Sequence, residues 1–279
     1  MQITGSQLVN RAGNWGRHIV ILGAGASIAA FPNGDANRKK IPMMNDLIAI
    51  LGLELLLKRG GIKNTDRNFE DIYSELYEND PESPFLKEIE EVIYTYFDSL
   101  KLPELPTMYD HLVLSLRPKD LIATFNWDPF LFDAWNRNKN KIPTPQIVHL
   151  HGNVRLAYCP EHPVYGERGM YCPKCDREFI PSRLLYPVKI KNYANNPFIK
   201  TEWEVLKKYL RQARTLTIFG YGAPTTDKEA VNMLFAQTLY GQWVENHPLP
   251  LDANFDELLF WIRPLVDAEH VLGAEKDVV

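Results

Sequence analysis

The stretch RHIVILGAGASIAAFP, residues 17–32, constrains the fold more than any other part of the chain. An apolar, β-branched run over His18–Leu22 breaks on Gly23 and Gly25, and Ser27–Ala30 can open a helix. That predicts a strand, a glycine turn and a helix in succession. The pattern returns three times. LIATF, residues 121–125, runs into the polar tip Asn126-Trp127-Asp128 and then a helix with Pro129 near its start. QIVHLHGNV, residues 146–154, is an apolar run with a polar end at His151-Gly152, and its alternation predicts that His149 and His151 point the same way on one strand. TLTIF, residues 215–219, ends on Gly220-Tyr221-Gly222 ahead of a helical stretch with a Thr or Asp cap. Strands that alternate with helices and end in polar or glycine residues predict an α/β fold. The expected form is a Rossmann-like, doubly wound parallel sheet with its site at those strand ends.

Helical spacing over residues 41–61, ending on Gly60-Gly61, and two helices across residues 69–101, parted at Asn79–Pro84, predict a helical insertion at about 45–105. Asn33–Lys40 reads as a polar loop near the first turn. Further helices are expected from about Thr201 and near Phe255–Trp261. With 279 residues, 45% of them hydrophobic, the chain can bury a full core, and one domain carrying a small module is expected over 1–279. A net charge of −4 gives no reason to expect direct nucleic-acid binding or attraction to an anionic membrane. No apolar run is long enough to span a bilayer and Met1–Gly16 is polar, so a cytoplasmic location is expected.

The densest chemistry lies between residues 159 and 175. Cys159-Pro-Glu-His162, nine residues, then Cys172-Pro-Lys-Cys175 supplies two tight turns whose side chains can converge on one tetrahedral ion. Three thiolates and one imidazole form a closed set for structural Zn²⁺, with no position left for catalysis, in a module at about 155–185. Gly166 and Gly169 in the spacer suit a ribbon hairpin. The catalytic candidates lie elsewhere. Gly23-Ala24-Gly25-Ala26-Ser27 is half of a dinucleotide fingerprint, read either as a phosphate cradle or as a plain strand-to-helix turn. Asp128 is read either as a helix cap or as an acceptor for a substrate amide, with Asn126 holding a water or a ribose hydroxyl. His149 is assigned to the core and His151, at the open strand end, to acid–base or ribose contact.

In order along the chain, GAGAS, TFNWD, LHGN, the cysteine module and FGYG resemble the sirtuin (Sir2) family over roughly residues 17–240, most of all its prokaryotic NAD-hydrolysing defence relatives. The resemblance implies NAD as substrate. It places Gly23, Ala24, Gly25, Ala26 and Ser27 at the phosphates, and Thr124, Asn126 and Asp128 around the nicotinamide and ribose. His151 then acts on the ribose, and Gly220, Tyr221 and Gly222 lie toward the adenosine end. It makes Cys159, Cys172 and Cys175 zinc ligands, with His162 where the family usually carries cysteine. The chain departs from the family's deacylases mainly on the acyl-peptide side. The G-I-P-D-F-R segment is replaced by a polar insert, and YPVKIKNYANNPF preserves little of the acyl-lysine groove. The resemblance therefore implies an NAD glycohydrolase that releases ADP-ribose and nicotinamide as a bacterial antiphage effector. Such an effector is expected to form a homo-oligomer and to act beside a partner defence protein such as an ATPase. The alternatives are an NAD-dependent protein lysine deacylase and a non-catalytic module that binds NAD or ADP-ribose.

Overall fold

In the computed structural model the described residues are 16–162, 164–188, 196–223 and 227–236. Four strands, β1 (Arg17–Leu22), β2 (Leu121–Thr124), β3 (Gln146–His149) and β7 (Ala213–Phe219), pair in parallel in the order β3-β2-β1-β7. Ile19, Ile21, Leu121, Ile122, Ala123 and Val148 are fully buried, which is why β1, β2 and β3 read as near-continuous apolar runs. From β1 the chain steps outward to β2 and β3, then crosses back to set β7 on the far side of β1. In doubly wound sheets ligands bind at the C-terminal strand ends beside such a reversal, which here lies between β1 and β7.

The register makes this edge a single line. Leu22 is level with Thr124 and Phe219, and Thr124 is level with His149. The four segments 23–27, 125–128, 150–153 and 220–222 therefore all leave the sheet at one edge. Backbone pairing continues one step past it, from Phe125 N–H to the Leu22 carbonyl at 2.9 Å and from Leu150 N–H to the Thr124 carbonyl at 2.8 Å. β3 stops at His149, and residues 150–151 turn. The expectation that His149 and His151 share one strand face is thus corrected, because the edge pairing ends before His151.

The crossover after β1 carries six helices: α1 (Ala24–Ala30), α2 (Leu47–Leu51), α3 (Glu54–Arg59), α4 (Phe69–Asn79), α5 (Pro84–Asp98) and α6 (Met108–Ser115). The single helix expected over residues 41–61 is two, because Gly52 adopts φ 68° and closes α2. The polar insert is tied down by buried Asp35. Its carboxylate accepts the N–H groups of Asn37 and Lys39, each at 2.8 Å, and of Lys101 at 2.9 Å. α6 opens with a capping box between Thr107 and Asp110, which the T-x-x-D spacing encodes.

α7 (Phe130–Asn138) follows β2, and α8 (Pro197–Leu210) precedes β7. α8 begins before the expected Thr201 because Asn196 caps the Phe198 and Ile199 N–H groups and Pro197 fits the first turn. It closes the open side of β3: Glu202 accepts the His149 N–H at 2.7 Å and the Trp203 indole N–H reaches the Leu150 carbonyl at 3.2 Å. Between β3 and α8, β4 (Leu156–Tyr158), β5 (Tyr165–Glu167) and β6 (Ile180–Pro181) form an antiparallel sheet in the order β5-β4-β6. The expected hairpin is therefore part of a three-stranded module.

The chain divides into two compact units, Met1–Gly222 and Ala223–Val279. In the second, the described residues include α9 (Lys228–Ala236), with Ala230 and Leu234 buried. The helix expected near Phe255–Trp261 lies outside the described residues. Among the described residues no helix is long and apolar enough to cross a membrane.

Candidate functional site

At the shared strand edge the first two segments meet through Ser27. Its hydroxyl donates to Asp128 Oδ2 at 2.7 Å, accepts from Asn126 Nδ2 at 3.0 Å, and lies 2.7 Å from the Tyr109 hydroxyl. Asn126 Nδ2 also donates to the Gly23 carbonyl at 3.0 Å. Because a carbonyl only accepts, that contact sets the amide nitrogen toward Gly23 and the amide oxygen away from it. Asn126 Oδ1 is buried and finds no partner among the described residues. Thr124 accepts the Asn126 N–H at 3.0 Å, bending the chain as it leaves β2.

Asp128 is buried, and burial pushes its carboxyl up to about 6 against the hydrogen bonds from Ser27 and the Phe130 N–H, which favour the ionised form. Its Oδ1 accepts the Phe130 N–H at 3.3 Å, just ahead of the N-cap Pro129, and its Oδ2 accepts the Ser27 hydroxyl. Tyr109, also buried, keeps its proton: burial first, and then the facing Asp128, raise its hydroxyl far above the usual phenol range.

His151 is buried on the next segment, with its ring edge-on to Phe125 at 4.8 Å. Its backbone carbonyl accepts the Leu185 N–H at 2.9 Å. Gly152, at φ 78°, is required here: a Cβ would lie 2.4 Å from the Arg183 carbonyl oxygen. His149 points elsewhere. Its ring is fully buried near Phe132, Nδ1 has no partner among the described residues, and burial pushes its pKa down to about 3, so it is a neutral core residue.

The last segment lies against the first. A Cβ on Gly23 would meet the Gly220 oxygen and the Tyr221 Cα at 2.5 Å, and a Cβ on Gly220 would meet the Ala26 nitrogen at 2.0 Å. The Gly23 N–H bonds the Phe219 carbonyl at 3.1 Å and the Gly25 N–H bonds the Gly220 carbonyl at 2.9 Å. Close backbone approach thus accounts for both glycines without a ligand, and two donors of the turn are taken by the chain itself. Tyr221 stacks on Phe125 at 4.2 Å between ring centroids, so its ring covers the residue next to Asn126. In this arrangement the Ser27 hydroxyl is already engaged by Asp128, Asn126 and Tyr109.

The second cluster is the Cys₃His set. Its donor atoms all lie within 4.8 Å of one another, with Cys159 Sγ 3.5 Å from His162 Nδ1 and 3.6 Å from Cys175 Sγ, and Cys172 Sγ 3.7 Å from His162 Nδ1. A zinc tetrahedron with bonds of roughly 2.3 Å to sulfur and 2.0 Å to nitrogen has edges of roughly 3.5–3.8 Å. The three shortest separations match those edges, and the set as a whole could close on such an ion. The Lys174 N–H points at Cys172 Sγ at 3.5 Å, supporting the thiolate a metal needs. All four positions are protein ligands, so the ion would hold the module together.

Tyr109, which meets Ser27 at this edge, carries no signal in the sequence. It lies on α6, on no strand end, and nothing in LPTMYDHLV distinguishes it from a core tyrosine. Trp127 also carries a buried indole N–H without a partner among the described residues, and it packs against Phe97 and Tyr186.

No protein-family model matches the chain, and no curated protein matches it. Among solved structures, a Sir2 homolog in complex with NAD is 14% identical over 82% of this chain and 78% of its own, with a TM-score of 0.39. A Sir2 homologue mutant with 2′-O-acetyl ADP ribose is 13% identical over 87% and 82%, with a TM-score of 0.40. Sir2 bound to acetylated peptide is 12% identical over 85% and 84%, with a TM-score of 0.35.

Proposed function

We propose that this chain is an NAD glycohydrolase that cleaves the nicotinamide–ribose bond to give ADP-ribose and nicotinamide. The observation that carries this reading is the buried Asn126 amide oxygen, lacking a donor among the described residues at the edge where the four strand ends meet. A buried acceptor left open is costly, and a water or a ribose hydroxyl supplies the missing donor. The order of motifs along the chain, which resembles that of the sirtuins, supports NAD as the molecule that brings it.

The nicotinamide of NAD is a cationic leaving group, so cleavage needs stabilisation of an oxocarbenium-like ribose more than covalent help. Water adds to C1′ as the C1′–N1 bond breaks. The ring nitrogen keeps the bonding pair and leaves as neutral nicotinamide, and one proton of the water passes to a base. Asn126 orients that water or an adjacent ribose hydroxyl, ionised Asp128 offsets the developing positive charge, and His151 handles the proton.

Purified protein incubated with NAD and no peptide is expected to release nicotinamide. Asn126→Ala and His151→Ala are each expected to lower turnover by about 100-fold or more with the fold intact. Turnover that appears only with an acylated peptide would replace this reading with a deacylase. NAD binding with no turnover in any oligomeric state would leave a binding module. On the same resemblance we place the activity in bacterial antiphage defence, as an oligomer or with a partner ATPase; NAD that stays constant in infected cells expressing the protein would count against it.

A further inference from the structure

We propose that Tyr109 is a positioning residue of this site: its hydroxyl donates to Ser27 and thereby aims the single Ser27 proton at the Asp128 carboxylate. The inference deepens the NAD-cleavage reading and rests on it for any effect on turnover. The relay itself can be observed without activity.

A serine hydroxyl has one proton and two lone pairs. The proton goes to Asp128 Oδ2 at 2.7 Å and one lone pair receives Asn126 Nδ2 at 3.0 Å, whose amide orientation is set by the Gly23 carbonyl. The Tyr109 hydroxyl, 2.7 Å away, meets the remaining lone pair and is therefore the donor. All of Ser27's hydrogen-bonding capacity is then used, and its hydroxyl has no alternative direction. Three elements take part: Tyr109 comes from α6, Ser27 from α1, and Asp128 from the turn into α7.

The chain of donors favours the ionised carboxylate, because each bond polarises the next in a buried setting. The other groups facing Asp128 do not replace it. The Phe130 N–H bonds Oδ1, and Asp133 on α7 acts as a like charge, itself paired with Arg155. Asn153 reaches only the Asp128 backbone carbonyl, at 2.7 Å. Tyr109 holds its proton, so it remains a donor while Asp128 titrates.

Tyr109→Phe removes the hydroxyl and keeps the ring that meets Phe31 edge-on. The readout is the carboxyl-carbon NMR titration of Asp128, with its resonance assigned by its loss in Asp128→Asn. We expect the Asp128 midpoint to rise by about half a pH unit in Tyr109→Phe and by about one in Ser27→Ala. Adding Tyr109→Phe to Ser27→Ala should move it no further, since the effect passes through Ser27. A midpoint unmoved in Tyr109→Phe, or an equal rise with and without Ser27, overturns the proposal. In an enzyme that cleaves NAD, the acid limb of kcat/KM should rise with the midpoint. A protein that cleaves no NAD at all refutes the glycohydrolase reading while the titration still decides the relay.

Discussion

At the scale of single residues, the site is a contest between burial and hydrogen bonding, and Asp128 records the result. Burial raises its carboxyl from 3.8 to about 6, so the folded protein binds a proton more tightly than the unfolded chain does. The stability this contributes is fully present below about pH 3.8 and is lost as pH rises through about 6. Relative to Asp128→Asn, which does not titrate, the wild-type protein is expected to lose about 3 kcal/mol between those limits. Urea denaturation of both proteins at stepped pH checks this, and a difference that stays flat with pH refutes it. Glu202, which burial pushes up to about 7, destabilises in the same direction in both proteins and drops out of the comparison. The sequence shows that Asn126 and Asp128 are out of place beside an apolar strand, and so marks them. It cannot show that Ser27 joins them or that Tyr109 closes the chain of donors, because both contacts span over 80 residues and depend on how α1 and α6 pack.

At the scale of elements, glycines with similar backbone angles carry unequal consequences. Gly52 and Gly220 both sit in the left-handed region, at φ 68° and 67°. A Cβ on Gly52 would meet nothing within 4 Å, whereas one on Gly220 would meet the Ala26 nitrogen at 2.0 Å. Gly52→Ala is expected to cost about 1 kcal/mol, the penalty of the conformation alone. Gly220→Ala must also push the 220–222 segment off the turn at Gly23, and is expected to cost at least about twice as much. Chemical denaturation of the two variants checks the order; equal losses would mean that the two segments can part freely. β1, β2 and β3 are legible because buried parallel strands are mostly apolar and are followed here by glycine or polar residues. α4 and α5 are legible from their amphipathic spacing. Helix breaks and starts are harder: Gly52 divides one apolar run, and Asn196-Pro197 starts α8 ahead of the first clear helical face. The close fit of Gly23 to Gly220 is a contact between distant strands, visible only once β1 and β7 are neighbours.

At the scale of the whole first unit, the cysteine module is coupled to the strand edge by hydrogen bonds from Ser182, Asn153 and Leu185. β6 leads into Ser182, whose hydroxyl donates to the Asn153 carbonyl at 3.0 Å and accepts the Asn153 N–H at 3.3 Å. Asn153 in turn holds the Asp128 carbonyl, and Leu185 holds that of His151. On its other side the module is bound to α5 and α7 by Arg155, which pairs with Asp98 and Asp133, and by Arg168, which pairs with Asp98. These ion pairs are partly exposed and contribute orientation more than stability. The module's small buried cluster, Ala157, Cys159, Cys172 and Phe179, is too slight to order three short strands unaided, so a metal should supply much of that free energy. About one equivalent of zinc is expected in protein purified without chelator. Its removal should loosen residues 151–153 and 182–185, lowering the proposed NAD turnover by about 10-fold or more, while the parallel sheet keeps most of its circular dichroism. Restored zinc should restore turnover. Well under one equivalent of metal, or turnover indifferent to chelation, would show that the thiols and His162 hold the module without an ion and that the edge is ordered by the sheet alone.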